Sequence, residues 1–134
     1  MFKVETMAPN LLKVEISGKI TASQMSDGLD SLFPLTNKMS DGRLLAIYHD
    51  VEFPEAGAIL EEMKRLPQLF GVIGKIGKVA LVSNQKWIRD IAMLEGKLIP
   101  NMTIRSFEFK DRSKAEAYLD IGNDEEDDFE NFPV

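Results

Sequence analysis

Two kinds of apolar pattern alternate along the chain and predict an α/β fold. Over residues 2–6 and 12–16, apolar positions alternate with charged ones, which predicts two half-buried strands in a hairpin. Nearly continuous apolar runs at residues 43–48 and 79–82 predict strands covered on both faces, and residues 102–107 predict a last strand. Apolar residues at helical spacing lie between these strands. The predicted order, β-β-α-β-α-β-α-β-α, gives a single α/β domain with a mostly parallel mixed sheet flanked by helices, whose strand order stays open.

Capping and breaking residues set the predicted helix bounds. Thr21 followed by Gln24 matches a capping box, so a first helix begins there. Pro54 is predicted to open the second helix, and Asn84 to cap a third helix that Gly96 ends. Each of these later helices has a predicted buried stripe: Ile59, Leu60, Met63 and Leu66 in the second, and Trp87, Ile88, Ile91 and Ala92 in the third.

Composition narrows the class of protein. The 134 residues are enough for one domain with a core, and 44% of them are hydrophobic. The sequence has no cysteine, which excludes disulfides, thiolate metal sites and cysteine nucleophiles. No apolar run has the length of a membrane helix, and the first residues lack the apolar stretch of a secretory leader. We expect a cytoplasmic protein with no cofactor and no membrane insertion.

The net charge of −6 belongs to the end of the chain. Six of the 22 acidic residues lie after residue 122, and the other 16 equal the 16 lysines and arginines in number. A neutral body with an acidic tail argues against nucleic acid as a partner. We therefore divide the chain into a domain at residues 1–121 and an acidic tail at 122–134, and predict that Phe129 or Phe132, rather than the charges, holds the tail on an apolar recess.

Four segments of the sequence are characteristic: GKIT at residues 18–21, LLAIYHD at 44–50 followed by Phe53 and Pro54, KVALVSNQKW at 78–87, and Pro100 with RSF at 105–107 before the last helix. Together they resemble the SpoIIAA-like family, within the wider STAS and Sec14-like group of folds. The third segment, a strand, a turn and a tryptophan, is the most specific. The resemblance covers residues 1–121 and implies the same α/β architecture.

The resemblance also implies a place for a regulatory switch. STAS antagonists of anti-sigma factors carry a phosphorylated serine at the start of the second helix. The matching residues here, 53–57, read FPEAG, and no Ser, Thr or Tyr occurs from residue 51 to 82. We therefore predict that this protein lacks the serine switch. Glu55 is a fixed negative charge at that place.

One histidine and its neighbouring acid are the only candidates for catalysis. His49 beside Asp50 has the residue types of a tuned general base, with Ser83 expected at the adjacent strand end. A strand-end histidine with a structural hydrogen bond is the better interpretation, so we predict no enzyme. Asp50, Glu52 and Glu55 suit a hard cation, but their spacing matches no known loop, and we predict no metal site.

The expected functional surface lies at the carboxyl ends of the third and fourth strands. Ligand crevices of open α/β sheets form there, at the point where the connections diverge. The candidate residues for a ligand or partner are His49, Asp50, Phe53, Ser83, Asn84 and Lys86.

A second candidate surface is the glycine-bearing stretch after the second helix. Glycines at 71, 74 and 77 lack the Lys-Ser/Thr of a phosphate loop. Its apolar residues suit either the core or an exposed interface or ligand flap, and they are Leu69, Phe70, Val72, Ile73 and Ile76.

Two functions follow as hypotheses. The first is a regulatory module that acts through protein–protein interaction and self-associates as a homo-oligomer through the helices beside this stretch. The alternative is a carrier of an apolar small molecule or lipid, since the Sec14-like group binds lipids under movable helices.

Overall fold

The structure is a computed structural model that describes residues 1–53 and 55–121, apart from the side chains of Leu66, Leu69, Phe70 and Ile73. Its strands are β1 (Phe2–Ala8), β2 (Leu11–Gly18), β3 (Gly42–Val51), β4 (Ile76–Ser83) and β5 (Thr103–Phe107). Its helices are α1 (Ala22–Thr36), α2 (Ala56–Lys64), α3 (Leu66–Ile73), α4 (Lys86–Leu98) and α5 (Arg112–Tyr118), with a 3-10 turn at Phe109–Asp111. None of the described helices has the length and apolarity needed to cross a membrane.

The five strands form one sheet in the order β1-β2-β3-β4-β5. The β1–β2 pair is antiparallel, and the other three pairs are parallel. This arrangement confirms the predicted α/β class with its N-terminal hairpin. The two strands of each parallel pair are joined through helices. Because these crossovers have the usual right hand and all advance in one direction across the sheet, α1 to α4 lie on one face of it.

Core packing divides the sheet into two faces. On one face, Ile16 of β2 and Leu81 of β4 pack with Ala58 of α2 and with Ile88 and Ala92 of α4. The opposite face buries alternate residues of the central strands under α5: Leu45, Ile47, Ala80 and Val82 pack with Ala115 and Leu119. The continuous apolar runs therefore mark strands buried on both sides, as predicted.

The first helix begins as its sequence predicts, but the third strand runs further. Thr21 Oγ1 accepts a hydrogen bond from the Gln24 N–H at 3.2 Å, and the Thr21 N–H donates to Gln24 Oε1 at 3.1 Å, which completes the capping box. Strand β3 does not end at His49. Its pairing with β2 continues to Val51, so His49 and Asp50 are strand residues.

The helix predicted as the third one is α4 in the structure, and both of its predicted boundaries are wrong. Asn84 does not cap α4, because its Oδ1 accepts the Phe109 N–H at 2.9 Å and so joins the β4–α4 turn to the 3-10 turn. Helix α4 also continues past Gly96 to Leu98. Gly96 allows α4 to approach β5 closely, since a Cβ built at this position would lie 3.1 Å from Ile104 Cβ of β5. Sequence alone does not distinguish a glycine that ends a helix from one that lets a strand come near.

The predicted buried stripe of the second helix is exposed. Ile59, Leu60 and Met63 keep 37%, 56% and 58% of their surface accessible, whereas Ala58 is fully buried. The reason is that α2 packs on α1 through its small residues, with Gly57 near the Ala22 methyl. The large apolar side chains of α2 are left without a cover from the described residues.

The glycine-bearing stretch forms α3 and the start of β4. Ile76, the first residue of β4, is 1% exposed in the core, which contradicts its assignment to a flap or interface. Val72 packs partly buried against the same cluster. The side chains of Leu69, Phe70 and Ile73 lie outside those described, as do the whole tail at 122–134 and the docking residues Phe129 and Phe132.

Candidate functional site

A polar crevice lies at the carboxyl ends of β3 and β4, where the sequence predicts a site. It encloses about 310 Å³ and is lined by Tyr48, His49, Asp50, Asn84, Gln85 and Phe109. Three of the six predicted surface residues thus come together. However, the connections from β2 to β3, from β3 to β4 and from β4 to β5 all advance in the same direction across the described sheet. The point at which connections diverge, which the prediction assumed, is therefore absent between β3 and β4.

The side chains of His49, Asn84 and Gln85 in the polar crevice are engaged in structural bonds. His49 Nε2 lies 3.1 Å from Glu15 Oε2, and the imidazole stacks on Phe109 with ring centroids 5.4 Å apart. Hydrogen bonds from Lys13 and from His49 lower the pKa of the Glu15 carboxyl. Since successive side chains of a strand point to opposite faces, Asp50 does not orient the imidazole, and Glu15 takes that place. This geometry suits a fixed histidine.

The other predicted polar residues also have local roles. Ser83 is fully buried, and its Oγ accepts the Gln85 N–H at 3.1 Å. Lys86 pairs with Asp90 at 2.7 Å along α4, and Glu55 pairs with Lys19 at 3.7 Å. Within the described part of the chain, no three His, Asp or Glu side chains are close enough together to hold a metal ion.

A second cavity, the α2–α4 cleft, opens on the other face of the sheet and is mostly apolar. It encloses about 300 Å³. Its lining comes from β2, β3, β4, α1, α2 and α4 and from the segments that join them: Ile16, Ile20, Met25, Tyr48, Val51, Glu52, Phe53, Glu62, Leu81, Trp87, Ile88, Ile91, Ala92 and Glu95. Of the predicted surface residues, only Phe53 lies here, and its ring centroid is 6.0 Å from that of Trp87.

The cleft lining includes two glutamates, Glu62 and Glu95, that are partly desolvated although their residues remain exposed to solvent. Burial raises the pKa of the Glu62 carboxyl, and burial together with the charge of Glu62 raises the pKa of Glu95. Burial, with the charges of Glu95 and Glu62, raises the pKa of Tyr48 to about 12. Neither Glu62 nor Glu95 has an ion-pair or hydrogen-bond partner for its side chain among the described residues. The carboxylates are therefore poorly compensated.

Helix α4 carries a second, outward stripe beside its buried one. Ile88 and Ala92 face the core, whereas Trp87, Ile91, Leu94 and Leu98 are between 38% and 73% exposed. These four positions are spaced by four, three and four residues, which is the spacing of a coiled-coil seam. Trp87 and Ile91 also line the cleft, and Leu94 and Leu98 lie beyond it.

Sequence reasoning missed the two glutamates, although α4 contains a signal. Glu95 lies three residues after Ala92 and seven after Ile88, so it lies on the same face of the helix as the buried stripe, although it is itself exposed. A carboxylate at such a position is a candidate for a desolvated group. Glu62 gave a weaker signal, because it stands four residues after Ala58 rather than after a large apolar residue.

We expect Glu95→Gln to stabilise the protein at pH 7. A carboxyl whose folded pKa is raised costs stability as the pH rises through that pKa, because the folded state binds the proton more tightly than the unfolded chain does. The gain should be below about 1 kcal/mol because Glu95 is partly solvated. It should vanish below about pH 4, where the carboxyl is protonated in both states. Urea unfolding at several pH values measures it, with Glu116→Gln on α5 as control. A loss of stability at pH 7 would instead mean that Glu95 has a favourable partner.

The comparisons with known proteins agree with this architecture. The sequence pattern of the SpoIIAA-like family matches residues 11–120. Among solved structures, an uncharacterised protein from Shewanella loihica PV-4 with a SpoIIAA-like fold superimposes with a TM-score of 0.65 at 14% identity, over 89% of this chain and 92% of that one. No curated protein sequence matches. With the matched region spanning β2 to the end of α5, this chain belongs to the SpoIIAA-like family.

Proposed function

We propose that this protein is a non-enzymatic binding module that holds an apolar small molecule in the α2–α4 cleft. The observation that carries the proposal is the cleft itself, about 300 Å³ of mostly apolar space lined by Phe53, Trp87 and Ile91. Small-molecule sites are concave, mostly apolar and begin at about this volume, with few polar groups to orient the ligand. The cleft has this character, and the polar crevice does not, because its histidine and asparagine are bonded to the protein.

The exposure of Phe53 supports the same proposal. Phe53 lines the cleft and is 68% exposed, so its ring is available to a ligand. Large exposed apolar surfaces mark sites of interaction with ligands or partners.

The only tryptophan of the chain lines the cleft and provides the test. We expect 1-decanol to shift the Trp87 emission to the blue with a saturable dose response, because the alkyl chain displaces water from the indole. Ala92→Leu, which adds bulk to the cleft wall, should weaken this binding about tenfold, because one or more added carbons in an apolar pocket change ligand affinity by about 1–3 kcal/mol.

Two control variants make this test specific. Ala117→Leu makes the same change on an exposed position of α5 and should leave the decanol response unchanged, and so should His49→Ala in the polar crevice. If decanol produces no saturable change, or if Ala92→Leu behaves like Ala117→Leu, the cleft does not bind apolar ligands.

A second candidate function is self-association through α4. The outward stripe of Trp87, Ile91, Leu94 and Leu98 has the spacing of a helix–helix seam, and its exposure increases toward Leu98. A second copy would supply the same stripe, so a two-fold contact would pair like with like. The expected protein–protein interaction would then be a contact between two copies of α4.

A further inference from the structure

We infer that the ligand of the α2–α4 cleft is a cation: an amphiphile with an ammonium group and an apolar chain, and not a fatty acid. This inference rests on the proposed function of the cleft and adds the charge of its ligand. It follows from which groups line the cleft and from which groups do not.

Every charged residue in the cleft lining is acidic. The charged residues of the lining are Glu52, Glu62 and Glu95, and no lysine, arginine or histidine appears among the lining residues. The body of the protein has equal numbers of acids and bases, so a purely acidic lining is a local feature and not a consequence of composition. Carboxylates in surroundings of reduced polarity attract a cation more strongly than carboxylates in water do.

Glu62 and Glu95 of the cleft lining lack the compensation that a cation would provide. Both residues are exposed, but neither carboxyl pairs with another described residue, and the charge of Glu62 acts against the ionisation of Glu95. An ammonium group near both would favour their ionised forms and remove this conflict.

The aromatic wall suits the same ligand. Phe53 and Trp87 lie side by side at the cleft, and the faces of such rings attract ammonium ions, especially methylated ones. The apolar side chains of Ile88, Ile91 and Ala92 would receive the alkyl part. A fatty acid would have the same apolar contacts, but the acidic residues of the lining would repel its carboxylate, and such repulsion contributes to ligand specificity.

Three probes of equal chain length separate these possibilities. Decyltrimethylammonium, 1-decanol and decanoate are each titrated below their micelle concentrations at low salt, with Trp87 emission as readout. We expect the cation to bind about tenfold more tightly than the alcohol, and decanoate to bind more weakly than the alcohol. In Glu62→Gln/Glu95→Gln the preference for the cation should fall to the smaller value that Glu52 and the aromatic rings provide, while decanol binding is retained. Glu116→Gln, on α5, should keep the full preference.

The pH gives an independent readout. The titratable groups that line the cleft are Tyr48, Glu52, Glu62 and Glu95, and protonation of the carboxyls removes the attraction. Cation affinity should therefore fall as the pH decreases from 7 to 4.5, while decanol affinity changes little.

The outcomes distinguish the inference from the proposed function. If decanol binds and decyltrimethylammonium binds no better, or if the double glutamine variant keeps the preference, the inferred charge is wrong and the apolar site remains. If decanoate binds most tightly, the inferred charge is likewise overturned. If none of the three probes binds, the proposed function fails together with the inference.

Discussion

Replacement of Leu45 by alanine is expected to lower the free energy of unfolding by about 2–5 kcal/mol. Leu45 is fully buried at the middle of β3, the central strand of the sheet, and belongs to the cluster that includes Ala115 and Leu119 of the last helical segment. Truncation would leave a cavity that the surrounding sheet cannot close. Urea unfolding followed by circular dichroism measures the change.

A matched substitution, Leu60→Ala, tests whether the apolar stripe of α2 is exposed. Leu60 occupies the stripe of α2 that periodicity predicts as buried but that is 56% exposed. Its truncation should cost less than about 1 kcal/mol, as for surface positions. If Leu60→Ala costs as much as Leu45→Ala, the stripe of α2 is part of the core and is not exposed.

The double change Leu94→Ser/Leu98→Ser is expected to convert a self-associating protein into a monomer. Both residues lie on the outward stripe of α4 but not in the cleft lining, so the fold and decanol binding should persist. Burial of a leucine is worth about 1.5–3 kcal/mol, and a two-fold contact loses each side chain twice, so the dimer should weaken at least about a hundredfold.

Sedimentation velocity over a range of protein concentrations measures this change. Met93→Ser, at an exposed apolar position of α4 outside the stripe, is the control and should leave the dimer intact. A monomeric unmodified protein at high concentration would refute self-association, and so would a dimer that survives the double change.

The sheet was the most predictable part of this protein because its signals are local. Strand alternation in the hairpin and continuous apolar runs in the central strands reflect how many faces of each strand are covered. The pairing of Thr21 with Gln24 likewise depends on four consecutive residues. The end of β3 had no such signal, because no breaker follows His49 before Pro54, and pairing with β2 decides where the strand ends.

The faces of α2 and α4 could not be predicted in the same way. Helical periodicity identifies an apolar stripe, but it does not say whether another element covers that stripe. On α2 the small residues Gly57 and Ala58 make the contact, and the stripe of large residues is left exposed. On α4 one of two adjacent stripes is buried. Contacts with other elements decide which stripe is buried, and the sequence of one helix does not show those contacts.

The candidate site is also distributed over the chain. Residues that meet in the cleft, such as Ile16, Tyr48, Glu62, Leu81 and Glu95, come from five separate elements and form no contiguous motif. Phe53 is an exception, since the sequence places it at a strand exit. Phe53 belongs to the segment that, by the resemblance, corresponds to the site of the phosphorylated serine in STAS antagonists. Because that segment has no hydroxyl group, the absence of such a switch stays a prediction for this protein.

Nuclear magnetic resonance with decyltrimethylammonium tests the central claim most directly, because it reports which of the two cavities is used. The backbone amide and indole N–H signals are followed as the probe is added below its micelle concentration. The account predicts shifts concentrated at the Trp87 indole and at the amides of Ile88, Ile91 and Ala92, with His49 and Asn84 unchanged. Shifts centred on His49, Asp50 and Asn84, or none that saturate, would contradict it.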